Sequence, residues 1–394
     1  MKLPHFTAGR LQSGLTLIEL MISLAIGLVV LGSLLVVYLG SRAAYRTSDN
    51  LARVQESGRF AMEFIAQDAR MSGFFGCHGR NLSEGIVANI TRNPKVHFRG
   101  ALDGVIAYED PDSDDDAVNA DFDRIGSEGA DPKTVQAMKD YYLRGDIIAF
   151  RHVVGTPVGI LERSGEEKVK LIHNAIGLKS GDLAVLADCT RAMVFRVTNN
   201  PAPTSVCYVP DACPTDVEFK ETGNDKAGVF FDVDFSYADP DKPTDEELVR
   251  PRPQVARMDE TWYFIGHRAG SQPSLLRVRS RAPLEPEVEE LIDNVENMDI
   301  VYGVDTTPNP DGVIDVYQRA DQVTDWSRVL AARISLLVVG PEDNITSGRQ
   351  RYSFGETGGI EGKDSDGLPN IREAGDQRLR QVFTTTVSLR NRVD

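Results

Sequence analysis

Hydrophobic and polar positions divide the chain into two regimes near Gly76. Before it, the pattern is helical. Leu20 through Leu39 contains no charge and no proline, about the 30 Å that a helix needs to cross a bilayer core. Leu51, Val54, Gly58, Ala61 and Ile65 follow at alternating spacings of three and four, which predicts a seam for packing along another helix. Phe60, Phe64 and Met71 form a second stripe, and one of the two stripes should cover the chain's own domain. Gly73 and Gly76, in "MSGFFGC", supply the stop. The expectation is one helix from Leu15 to about Gly73, apolar in residues 15–39 and amphipathic in 40–73. No proline interrupts it, so it runs straight or breaks at Gly27 and Gly32.

After Gly76 the pattern changes to short apolar runs separated by turn residues. "GVIAY", "DIIAFRHVV", "LAVLAD", "AMVFRVT", "GVFFDVDFSY", "TWYFIGH", "LLRVRS", "ARISLLVVG" and "VFTTTVSLR" read as strands. A second helix is expected over "EVEELIDNVENM", where Val288, Leu291, Ile292, Val295 and Met298 fall on one helical face. One long helix followed by a mainly antiparallel β domain, residues 74–394, makes the class α+β. Polar insertions stand near 109–131, 210–253 and 344–377, and the first holds ten acidic residues against one base, Arg124.

The 394-residue chain has a net charge of −16, which argues against a nucleic-acid surface. Its motifs argue against an enzyme: there is no G-x-S-x-G, no phosphate loop with lysine and no H-E-x-x-H. The cysteines, Cys77, Cys189, Cys207 and Cys213, are even in number behind an export-like segment, so disulfides are expected. Three pairings are open. Cys207 and Cys213 enclose "YVPDA" and form the natural local pair, which leaves Cys77 with Cys189. Zinc is disfavoured because no C-x-x-C occurs and the histidines are scattered.

One carboxylate, Glu19, stands at the start of the apolar run in "GLTLIELMISLAIGLVV". A charge inside lipid costs about 2.5–3.5 kcal/mol by insertion scales, so it needs a partner. "GLTLIEL" resembles the processing site of type IV prepilins. The resemblance implies removal of residues 1–14 by a prepilin peptidase, cleavage between Gly14 and Leu15, and N-methylation of Leu15. Glu19 would then pair with the new ammonium of its own or a neighbouring subunit and set assembly register. The implied fold is the type IV pilin fold, a long N-terminal helix, transmembrane in its first half, packed on an enlarged antiparallel sheet domain.

The segments "YGVDTTPNPDGVIDVYQRADQVTDWSRVLAARISLLV", "QVFTTTVSLRNRV", "GDLAVLADCTRAMVFRVT" and "MSGFFGC" resemble PilW-type minor pilins. That resemblance implies a non-enzymatic protein priming pilus assembly at or near the tip. Its partners would be other minor pilins, the major pilin and a tip adhesin-like protein. It would be anchored in the bacterial inner membrane, its C-terminal domain periplasmic, before reaching the pilus tip and cell surface. Capping pseudopilins tend to lack the carboxylate, so retaining Glu19 implies a place just below the apex. The neighbouring alternatives are a J-type pseudopilin of type II secretion and a tip-displayed adhesive pilin. No cofactor is required. Calcium is the one candidate, because Asn309, Asp311 and Asp315 in "TPNPDGVID" resemble the middle of an EF-hand loop. Thr307 and Gln318 stand where that motif wants acids, and the same residues also read as an Asp-Gly turn.

Overall fold

The computed structural model describes residues 16–74, 86–88, 102–105, 122, 132–163, 168–187, 192–201, 215–219, 253–268, 272–280, 286–320, 322–355 and 371–389. It divides into two compact units, one up to Ala52 and one from Arg53 onward. A single helix, α1 (Leu17–Met71), runs unbroken through Gly27 and Gly32. Ser23, Ser33 and Thr47 turn their hydroxyls back onto the carbonyls of Glu19, Val29 and Ala43, so their polar atoms are satisfied within the helix. Gly73 ends it in the left-handed conformation, φ +79°, which glycine adopts without Cβ strain. The chain is then handed to the sheet: Gly73 N donates to Arg151 O and Val153 N to Phe74 O.

The domain contains strands β1 (Ile86–Ala88), β2 (Leu102–Val105), β3 (Tyr142–Arg163), β4 (Lys168–Leu171), β5 (Leu183–Ala187), β6 (Ala192–Arg196), β7 (Thr215–Glu218) and β8 (Gln254–Gly266). A short helix, α2 (Pro132–Tyr141), leads directly into β3. Two long bent strands, β3 and β8, pair antiparallel along most of their length and serve two different neighbourhoods. The first part of β3 and the last part of β8 join β2, β9 (Ser274–Ser280) and β10 (Glu287–Asp293). Alternation is strict there. Ile148, Phe150, Tyr263 and Ile265 face α1, where Val54, Ala61, Ile65 and Ala69 are buried. Ile147, Ala149, Trp262 and Phe264 face the other way, onto Val135 and Met138 of α2.

The remaining parts of β3 and β8 sit between β4 and β5, in the order β1-β6-β5-β8-β3-β4-β7. Val158, Ile160, Leu171, Leu186, Phe195 and Val217 form a separate core. The chain leaving β6 reaches β7 at the far end of this array. Thr198 N donates to Glu218 O, while the Asn199 side chain accepts from Glu218 N and donates to Asp216 O. The curled sheet is thereby fastened into a barrel-like layer.

A second sheet, β12-β11-β13-β16, completes the cover over α1. Its strands are β11 (Val295–Val304), β12 (Val316–Gln318), β13 (Val329–Val339) and β16 (Arg380–Ser388), with a small hairpin of β14 (Arg351–Ser353) and β15 (Ile371–Glu373) before the last. Met298, Ile300, Tyr302, Ile334, Leu336 and Val387 pack into the same core as the helix. Gly58 permits a close approach: a Cβ there would lie 2.3 Å from the Phe383 ring of β16.

Two expectations are corrected. Val288 to Met298 is not a helix but the end-to-end strands β10 and β11, separated by Asn294 at φ +60°. The seam Val54–Gly58–Ala61–Ile65 packs on the chain's own sheets rather than on another helix, while Phe60 and Met71 stay exposed. The helix α2 was not anticipated. Outside the described residues lie Gly14, Leu15, all four cysteines, the strand expected at Gly228–Tyr237 and most of the three insertions.

Candidate functional site on the N-terminal helix and the Asp305 loop

From Leu17 to Leu39 the helix is apolar on every side. Leu24, Leu28 and Val36 are 59%, 68% and 71% exposed, and none of the apolar window is buried within the chain. A hydrophobic surface of this extent needs lipid or an apolar partner. Glu19 sits in its first turn, the only charged side chain between Leu17 and Leu39. Its backbone N–H donates to Thr16 Oγ1 at 3.3 Å. Thr16 thus serves as N-cap with Glu19 three residues on, the capping-box arrangement. A carboxylate at this end also opposes the positive pole of the helix. The cap was legible as T-x-x-E before an apolar run, and the reading of Glu19 as an assembly residue passed over it.

In the second unit the helix is tied to the sheet by charge as well as packing. Tyr263 donates its hydroxyl to Asp68 Oδ2 at 2.7 Å, and Phe64 O lies 3.3 Å away. Burial, reinforced by the adjacent Asp68 charge, holds the Tyr263 phenol above its ordinary range. Arg277 sits over the Phe64 ring, 5.9 Å from its centroid, and donates Nε to Glu289 Oε2 at 2.7 Å.

The loop between β11 and β12 is organised by Asp305, a residue the sequence reading did not single out. Its carboxylate accepts from Thr307 N and Oγ1 at 3.1 and 2.6 Å. It also accepts from Asp311 N at 2.8 Å and Gly312 N at 3.0 Å. These donors, led by the Thr307 hydroxyl, hold the Asp305 carboxyl below the usual carboxylate range. Asp311 Oδ1 accepts from Val313 N, and Asp315 Oδ2 from Thr306 N and Oγ1. Asn309 contributes its backbone carbonyl to Thr307 Oγ1. The Asp311 and Asp315 oxygens named here therefore face donors of their own loop. Among the described residues, no group of three His, Cys, Asp or Glu side chains is placed to hold a metal ion.

Residues 262–391 match the family model of type IV pilus-assembly protein W, and residues 9–35 match the prokaryotic N-terminal methylation motif. The chain is a type IV pilin-related assembly protein. The methylation motif ends within the exposed apolar helix, and the PilW match runs from the last part of β8 through β16. The matched region thus contains most of the strands that pack on α1, all but β3, whereas α2 and most of the barrel-like layer precede it. No curated protein matches the chain. Among solved structures, type IV-like pilin TTHA1219 from Thermus thermophilus is similar at 17% identity over 35% of this chain and 67% of that one, with a TM-score of 0.22.

Proposed function

We propose that this protein is a minor pilin that primes type IV pilus assembly at or near the filament tip, in a structural, non-enzymatic role. One observation carries the reading. An exposed apolar stretch with a single carboxylate in its first turn continues, as one unbroken helix, into a stripe packed on strands of the region that matches PilW. Cleavage between Gly14 and Leu15 and methylation of Leu15 leave an ammonium close to Glu19. Two charges that are each costly in an apolar bundle then neutralise one another. Before assembly, residues 15–39 hold the protein in the inner membrane with the domain periplasmic. Afterwards the same surface packs among other minor pilins, the major pilin and a tip adhesin-like protein. The cysteines form two disulfides in that oxidising compartment. The Asp305 loop is a structural turn, with calcium its only candidate ligand.

Mass spectrometry of the N-terminal peptide, from membrane-purified wild type and Glu19→Ala, tests the reading. The expected peptide begins at methylated Leu15 in both, and Glu19→Ala cells lose pili at unchanged protein level. An intact Met1 terminus overturns it. Normal pili with lost secretion in a deletion strain would assign the protein to type II secretion instead. Normal pili with lost attachment would assign it to adhesion.

A further inference from the structure

Sheet edges are treated unequally in this molecule. At β10 the outer edge carries Glu287, Glu289, Glu290 and Asp293, is bulged between Glu290 and Ile292, and has its Val288 carbonyl occupied by Arg268 Nη2 at 2.7 Å. These are the devices by which edges are kept from pairing with another chain. At the end of the barrel-like layer, β7 is closed by Asn199. β16 has none of this. Gln381 to Leu389 contains no charge and no proline, and its nine-residue strand pairs with β13 without a register shift.

The direction of its backbone groups follows from the ladder. Leu389 N donates to Leu330 O, so the odd-numbered residues of β16 bond to β13 and the even-numbered ones point outward. Arg380, the first even position, is satisfied by an amide in place of a strand: Gln350 Oε1 accepts from its N–H and Gln350 Nε2 donates to its carbonyl, at 2.8 and 2.7 Å. From Val382 through Thr384 and Thr386 to Ser388, the outward backbone groups meet no further strand among the described residues.

We propose that the free edge of β16 receives an extended strand from a different pilus-assembly subunit, as a fifth strand of the β12-β11-β13-β16 sheet. This rests on the assembly reading above. Main-chain hydrogen bonds would supply affinity and alternate side chains specificity. The odd face of β16 lies over α1, with Phe383 only half covered against Gly58. The incoming strand is therefore uncharged, with apolar residues at every second position on the side facing α1. A subunit packing alongside that helix arrives next to this edge. A second copy fits poorly. Antiparallel pairing of β16 with itself needs a two-fold axis normal to the sheet, which would reverse the direction of two helices anchored in one membrane. The other long edge, β10, is blunted.

The test uses the full-length chain in piliated cells, with a photoreactive phenylalanine analogue at Thr385, or at Leu28 as reference. The expected result is a cross-link from Thr385 to a different pilus subunit. Thr386→Pro, which removes one outward N–H and spares the β13 ladder, should reduce it about fivefold or more, the weight of one net hydrogen bond. Thr386→Lys, which leaves the backbone intact, should reduce it too at unchanged protein level. If Leu28 cross-links to pilus subunits while Thr385 reaches only this chain or nothing, the edge proposal fails. If neither position reaches a pilus subunit, the assembly reading itself fails.

Discussion

The two halves of α1 have the same backbone and opposite needs. Residues 17–39 expose large aliphatic side chains in every direction, whereas from Arg53 onward a stripe of Val54, Gly58, Ala61 and Ile65 is buried and Glu56, Arg59 and Glu63 face out. One half has its partners outside the chain and the other within it. The difference separates two kinds of residue: substitutions in the second half should damage folding, and those in the first should damage assembly while leaving the domain intact.

The sharpest break comes from paired truncations. Ile65→Ala should cost about 2–5 kcal/mol in chemical denaturation, because a fully buried side chain leaves a cavity. Leu28→Ala, at an exposed position, should change domain stability by less than about 0.5 kcal/mol yet lower pilus number. Equal effects on stability would erase the distinction. Gly58→Ala should cost about 1–3 kcal/mol by forcing the Phe383 ring aside. Part of that should return in the double variant with Phe383→Leu. Tyr263→Phe, which removes the hydroxyl from Asp68, should cost about 1–3 kcal/mol without altering N-terminal processing.

Smaller effects belong to the Asp305 loop. Because the folded carboxyl titrates below its unfolded value, its contribution is complete above the ordinary Asp range. It is lost as pH falls through the depressed folded value, below about pH 4. Asp305→Asn should flatten that part of the stability–pH curve measured by thermal melting. Chelation should matter least. With Asp311 and Asp315 already accepting from loop donors, EDTA should shift the melting temperature by less than about 1 °C.

What the sequence disclosed depended on how local the cause was. The helix span was legible because an apolar run, a 3–4 stripe and Gly73 act within a few residues of one another. The misread segment is instructive. Leu291 is the extra residue of a bulge in β10, and Glu296 that of another in β11. Each insertion shifts the alternation by one, so Val288, Leu291, Ile292, Val295 and Met298 imitate helical spacing. The helix α2 escaped notice for the converse reason: only Thr134, Val135 and Met138 are buried, too few for a stripe, although Pro132 at its first position was a usable signal. Asp305 could not be found by motif, since its importance lies in amides up to seven residues away.

The Asn199 clasp has a consequence for how this protein can vary. Strand β7 is secured on one side by β4 and on the other by Asn199 and Thr198. The sequence between Pro201 and Thr215, and again between Phe219 and Pro253, enters and leaves an element already locked on both edges. Changes of length or chemistry there need not propagate into the strands that grip α1. Natural variants should therefore diversify in these two stretches first, and tags or reporters inserted there should leave assembly undisturbed.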